Sequence, residues 1–381
     1  KIAIYSKNRK CYNITFQLLG RHFLCQEELP DIFGVQRCFF MLKCKKTQND
    51  RTEEMKKKKK LKRIFLVILG VLFLLYIGLA NVLVSAALVP SFMERLEAFS
   101  RITQESVDAL VHTDDIQQQY EKSWEETKEW AQNAHGQKLT KKTEDGYKLI
   151  AQEVYTEEES HKWVLLLHGY TGWKEAMYPF AMWYNERGYH VIAPDMRCQG
   201  ESEGDFIGMG WTDRKDNMLW IDYILEQDPE AEIVIHGQSM GAACALMMTG
   251  EEELPENVKA VVSDCAYTDA YTMFQEKIVK WFHLPAFPIL DTANLMLQLR
   301  GGYDLKNASA LEAVKKSSTP TLFIHGDQDD MIPVDMSEEL YQAAACPKEL
   351  LIVEGAGHAQ CQDKDPEGYY GAVEKLLEEY L

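Results

Sequence analysis

The chain has 381 residues, of which 46% are hydrophobic, enough for one large α/β domain with a sizeable core plus extra segments. Its net charge of −18 is unevenly spread: residues 1–63 hold 17 Lys and Arg against 6 Asp and Glu, a net of +11, and the remainder holds 24 against 53, a net of −29. A globular part that acidic argues against nucleic acid as a partner, because its phosphates would be repelled.

Residues 1–63 read as a basic N-terminal tail. Residues 1–54 show no sustained periodicity, and Met55 opens a run, Lys56 to Arg63, typical of the start of an exported or membrane protein. The expectation is that translation starts at Met55 and that 1–54 belong to an over-extended gene. Ile64 to Val89 follows, 26 residues without a charge. A spanning helix needs roughly 20, so 64–89 is expected to be a transmembrane anchor. The basic run before it places the N-terminus in the cytoplasm and everything after Pro90 outside. The alternative is a secreted protein, cut near Ser85, Ala86 and Ala87. Against that, the apolar stretch exceeds the roughly 7–15 residues of a signal core.

Residues 90–135 are polar with scattered apolar positions, and read as a helical stalk or a helix laid on the next domain. Lys138 to Tyr155 alternates around Asp145-Gly146, a strong hairpin signal. From Trp163 strands alternate with helices. Strands are expected near 163–167, 190–193, 232–236, 260–263, 320–325 and 349–353. Helices are expected near 176–187, 213–227, 240–249, 309–317, 337–345 and 366–380. That order implies a doubly wound, mostly parallel sheet with helices on both faces. Residues 266–300 are longer than a strand-to-helix loop requires and apolar, so they are expected to form a small helical cap. Met273, Phe274 and Trp281, with Ile278 and Phe282, either line an acyl pocket or pack the cap on the core.

Nine cysteines are present, five of them in the globular part, with no Cys-x-x-Cys pair and no metal-ligand spacing. Neither a disulfide framework nor a structural zinc is expected, and Cys244 and Cys265 are expected to be buried packing residues.

The chemistry centres on Glu232 to Leu246. An apolar strand leads into Gly237-Gln238-Ser239-Met240-Gly241, and a helix rich in Ala, Leu and Met follows. This is the nucleophile elbow: Gly237 and Gly241 let strand and helix close around a serine whose backbone is strained. A serine needs a base and an orienter. Asp329 follows one strand-like run and His358 follows the next, giving the order Ser, Asp, His.

Five segments, Leu165 to Tyr170, Ala193 to Ser202, Gly237 to Gly241, His325 to Asp329 and Gly355 to His358, together resemble the α/β-hydrolases. The nearest likeness is to membrane-anchored bacterial hydrolases similar to the Bem46-like proteins, and it covers the chain from about Trp163 onward. The resemblance implies an α/β-hydrolase domain over 136–381, Ser239 as nucleophile, His358 as base and Asp329 as orienter. Asp327 and Asp330 are competitors for the last role. Relatives place the acid three residues after the glycine of His-Gly-x-x-Asp, which selects Asp329. The oxyanion hole would use the backbone N–H groups of Met240 and Tyr170. Asp195 and Arg197 read as structural. Cys198-Gln199 departs from the Gly-His found in many relatives.

A serine at the elbow implies acyl transfer to water through an acyl-enzyme, without metal or cofactor. The expected function is therefore a membrane-anchored carboxylic ester hydrolase acting on a small acyl ester. A serine peptidase of the same fold acting on a short peptide, and a non-catalytic surface binding protein on a hydrolase scaffold, are the alternatives.

Overall fold

The computed structural model describes residues 2–5, 11–14, 35–92, 127, 129–131, 133–157 and 159–381. The contacts divide the chain into two units, Lys1–Leu72 and Phe73–Leu381. In the first, β1 (Ile2–Tyr5) pairs antiparallel with β2 (Cys11–Ile14), and a long helix α1 (Val35–Leu88) begins. The sequence reading left residues 35–63 without an element. The Lys-rich segment is built of good helix formers, so the helix extends 29 residues upstream of Ile64. Most of the stalk expected over 90–135 lies outside the described residues.

The second unit is built on an eight-stranded sheet in the order β10-β9-β8-β7-β5-β6-β4-β3. β3 (Gly136–Lys142) and β4 (Lys148–Val154) form the hairpin turned at Gly146, whose φ is +96°. β4 pairs antiparallel with β6 (His190–Asp195), so the hairpin closes one edge with β3 outermost. β5 (Lys162–Leu167), β7 (Glu232–Gln238), β8 (Val258–Asp264), β9 (Thr321–Gly326) and β10 (Lys348–Val353) run parallel to β6. The edge strand β3 is largely exposed and carries Lys138, Lys141 and Lys142, charges that discourage edge-to-edge pairing.

The sheet separates two apolar layers, because successive side chains of a strand point to opposite faces. Trp163, Leu165 and Leu167 of β5 join one cluster, and Val164 and Leu166 join the other. The second layer is covered by α2 (Tyr178–Asn185) and α10 (Pro366–Tyr380). The first is covered by α3 (Asp213–Gln227), α4 (Met240–Met248), the pair α5 (Ala270–Phe282) and α6 (Ala286–Gly301), α7 (Ala310–Val314) and α8 (Val334–Ala343). A short helix α9 (Cys361–Lys364) precedes α10.

Helix starts follow side-chain capping. Asp269 accepts the Thr272 N–H at the head of α5, Ser309 accepts that of Glu312 at α7, and Asp365 accepts that of Gly368 at α10. Residues 266–300, where a helical cap was expected, are occupied by the α5–α6 helix pair. Residues Phe73–Leu88 of α1 pack on this same layer: Val84 and Leu88 belong to its core cluster.

Candidate active site

The sheet brings the elbow, the β9 loop and the β10 loop to the carboxyl ends of adjacent strands, where open α/β sheets place their sites. Ser239 sits between β7 and α4 with φ +56° and ψ −117°, outside the helical and extended regions. Backbone strain of this kind persists only where neighbours over-determine it. Here the neighbours leave no room for a side chain on either flanking glycine. A Cβ on Gly237 would strike the Gly241 carbonyl, and one on Gly241 would strike the carbonyls of Leu167 and His168. The Ser239 N–H donates to the Asp264 carbonyl at 2.7 Å, which ties the elbow to the end of β8.

Ser239, His358 and Asp329 come together. His358 Nε2 lies 2.9 Å from Ser239 Oγ, and His358 Nδ1 lies 2.7 Å from Asp329 Oδ2. An ionised carboxylate can only accept, so Nδ1 carries the proton and Nε2 is left to accept from the serine hydroxyl. Asp329 Oδ1 accepts the N–H groups of Met331 (2.9 Å) and Ile332 (2.7 Å). Burial pushes the Asp329 carboxyl up, but hydrogen bonds from His325 and His358 outweigh it. The group is held well below the usual carboxylate range.

The two competing aspartates are engaged away from His358, Asp327 through its carboxylate and Asp330 through its backbone carbonyl. Asp327 Oδ1 accepts the Gly355 N–H at 2.6 Å and closes the turn. The Asp330 backbone carbonyl accepts Lys277 Nζ (3.3 Å) and Lys280 Nζ (3.0 Å) from α5. His325 was visible in the sequence but had no role assigned. Its Nε2 lies 3.2 Å from Asp329 Oδ2 and 2.9 Å from the Ile332 carbonyl, while Nδ1 faces Ser337 Oγ at 2.6 Å. It therefore braces the loop that carries Asp329.

Gly169 lies against Ser239: a Cβ built on it would stand 3.9 Å from Ser239 Oγ. The loop is shaped by His168, whose Nε2 accepts the Met196 N–H (2.9 Å) while Nδ1 donates to the Gly169 carbonyl (2.8 Å). Burial keeps that imidazole below its ordinary pKa, and so neutral. Tyr170 follows, and its hydroxyl donates to the Ala87 carbonyl at the end of α1. Met240 opens α4, where a helix leaves its first N–H groups without intrahelical partners. Asp195 accepts Lys174 N, Lys174 Nζ and Glu201 N at 2.7, 2.8 and 2.9 Å, and Arg197 bridges Asp145 and Asp216. These hold the loop after β6. Both amide atoms of Gln199 are buried without a hydrogen-bond partner among the described residues.

Met273 and Phe274 pack partly buried against the core cluster, with Ile278. The side-chain surroundings of Trp281 and Phe282 lie outside the described residues. A groove of about 550 Å³ opens between α5 and α8, lined in part by Thr272, Glu276, Val279 and Met336, and none of Ser239, Asp329 and His358 lines it. Among the described residues, one cluster has metal-ligand character, Cys265 with Asp329 and His358. Both ring nitrogens of His358 already face Ser239 and Asp329, and burial keeps the Cys265 thiol protonated. Donors so engaged do not suit a cation.

This chain has the α/β-hydrolase fold. A model described as alpha/beta hydrolase fold matches residues 162–287. The Bacillus subtilis protein YqkD is 29% identical over 216 residues, 56% of this chain and 70% of YqkD. A thermostable monoacylglycerol lipase from a Bacillus species is 24% identical over 243 residues, 57% of this chain and 90% of the lipase. The Pyrococcus furiosus esterase Pf2001 superposes with a TM-score of 0.53 at 22% identity, covering 65% of this chain and 93% of the esterase. In addition, the described residues contain one helix, Gln48–Leu88, long and apolar enough to cross a membrane, with a mean hydropathy of 2.6 in its apolar window.

Proposed function

We propose that the protein is a membrane-anchored serine hydrolase that cleaves a carboxylic ester. The observation that carries this reading is the continuous relay Ser239–His358–Asp329, with hydrogen-bond distances of 2.9 and 2.7 Å, on a strained elbow. Ser239 Oγ attacks the ester carbonyl carbon as its proton passes to His358 Nε2. The carbon–oxygen bond to the alcohol then breaks, and His358 returns the proton to the departing alkoxide. Water, deprotonated by the same nitrogen, attacks the acyl-enzyme and releases the acid. Asp329 holds the imidazole in the required tautomer and stabilises the imidazolium. The N–H groups of Met240 and Tyr170 receive the developing oxyanion, each worth on the order of 3 kcal/mol. The lipase likeness supports an acyl ester as substrate. Ile64 to Val89 is the anchor, with the basic run before it on the cytoplasmic side. The order of anchor, hairpin and hydrolase domain supports kinship with membrane-anchored bacterial hydrolases resembling the Bem46-like proteins.

The test is labelling of the full chain by a fluorophosphonate, beside Ser239→Ala, with turnover of short- and medium-chain p-nitrophenyl esters. Label on the wild type, absent from Ser239→Ala, with ester turnover, is the expected result. A folded wild type that takes no label and cleaves no ester overturns the reading.

A further inference from the structure

The apolar stretch after Arg63 is longer than its docking allows it to be if the bilayer ends where the domain begins. A span of roughly 20 residues counted from Ile64 ends at Leu83, and any tilt carries it further. Residues before Leu83 are nevertheless already packed on the cap. Tyr76 Oη donates to the Pro288 carbonyl at 2.9 Å and lies 2.7 Å from Thr292 Oγ1. Asn81 Nδ2 faces Met296 Sδ at 3.5 Å, and Arg300 donates to the Asn81 carbonyl at 3.1 Å and to Ser85 Oγ at 2.9 Å. Pro288, Thr292, Met296 and Arg300 form one row along α6, so α6 runs beside α1 in the same direction. The start of α6 therefore lies at the level of Tyr76, inside the counted span, and Arg300 lies near its end.

The neighbouring surface of the cap is apolar and exposed. Leu284 is 48% exposed, Phe287 75%, Leu295 49% and Leu299 72%. Residues 266–300 hold three acidic and three basic side chains, a net charge of zero, in a part of the chain whose net charge is −29. Asp291 shares the row of Phe287 and Leu295 but faces Lys306 Nζ, at 3.6 Å. An exposed apolar patch on a charge-neutral element, continuous with a spanning helix, has the chemistry of a bilayer contact.

We propose that α6 and the turn before it are seated in the bilayer, with Leu284, Phe287, Leu295 and Leu299 in the leaflet on the side of the hydrolase domain. The α5–α6 pair then faces lipid, and an ester dissolved in that leaflet is held beside the domain that carries Ser239. The inference rests on Ile64–Val89 being a span, as proposed above, and not on the chemistry of Ser239.

The experiment uses the full chain in phosphatidylcholine vesicles that contain tritiated lipid. p-Benzoylphenylalanine replaces Phe287, Leu295 or Leu299 in turn, with Leu66 in the anchor and the exposed Glu252 as reference positions. After irradiation, lipid adducts at the three cap positions comparable with those at Leu66, and several-fold above Glu252, are expected. Label at Leu66 with only the Glu252 level at the cap overturns the proposal and leaves the anchor standing. Cross-links from the cap to a second copy of the chain, in place of lipid, overturn it equally. A Leu66 signal at the Glu252 level overturns the span and this inference together, and fluorophosphonate labelling remains an independent readout of the hydrolase reading.

Discussion

Tyr170 and Ala87 are joined by a hydrogen bond from the phenol to the backbone carbonyl, which ties the loop beside Ser239 to the end of α1. Burial raises the Tyr170 hydroxyl to about 12, so it stays a donor at any working pH. Tyr170→Phe removes the tie and keeps the ring. Stability should fall by only ~1 kcal/mol. If the Tyr170 N–H receives the oxyanion, kcat should drop about tenfold or more, since small displacements of catalytic groups are costly. Steady-state ester kinetics beside thermal melts separate the two effects.

Removal of single relay members should be far from additive. Ser239→Ala and His358→Ala should each lower kcat by on the order of a millionfold, and the double variant should be little worse. Asp329→Asn should cost about 10⁴-fold, because the amide favours the wrong imidazole tautomer. Single-turnover measurements with a p-nitrophenyl ester check all four.

The depressed Asp329 carboxyl also contributes to stability. A group whose folded pKa lies below its unfolded value stabilises the fold above the unfolded pKa of about 3.9. That contribution is lost as pH falls through the folded value. The stability gap between wild type and Asp329→Asn should therefore be constant at neutral pH and shrink only in strong acid, as read by urea unfolding across a pH series.

Asp213 carries the opposite linkage. Burial first, and then the charge of Asp216, push its carboxyl up to about 7, and its Oδ1 is buried without a partner among the described residues. Between about pH 4 and pH 7 the folded chain holds a proton that the unfolded chain releases, so this group makes stability fall as pH rises. Asp213→Asn can still accept the Gly210 N–H, which now bonds Oδ2 at 2.8 Å. It should be near neutral at pH 4 and more stable than wild type at pH 8, by a few kcal/mol at most. Urea midpoints at the two pH values decide it.

Gly241→Ala would drive a Cβ into the Leu167 and His168 carbonyls, which are backbone and cannot swing aside. A loss of about 1–3 kcal/mol or more is expected, as for other overpacked sites. Gly371 is the control: a Cβ there meets nothing within 4 Å, so Gly371→Ala in the middle of α10 should be neutral or stabilising.

Most of the sheet was legible because buried parallel strands are continuous apolar runs, and β5 and β7 need no tertiary context to be recognised. The helix at Asp213–Gln227 was located to the residue, while α7 and α8 shifted by several residues at their ends, where caps and turns decide. The short helix Cys361–Lys364 and the upstream extension of α1 were missed, since neither carries an apolar period.

The order of Ser239, Asp329 and His358, the glycines beside the serine and the charge-free stretch after Arg63 were determined by the sequence, because each is a local pattern with a local physical cause. The family resemblance selected Asp329 to meet His358, but only the tertiary structure shows the physical reason. Asp327, Asp329 and Asp330 are chemically alike, and the turn geometry alone sends Asp327 to Gly355 and Asp329 to the imidazole. Only the tertiary structure decided the row from Pro288 to Arg300 against Tyr76, Asn81 and Ser85. Those residues are more than 200 positions apart, and no period in the chain records a contact that exists only once two helices pack.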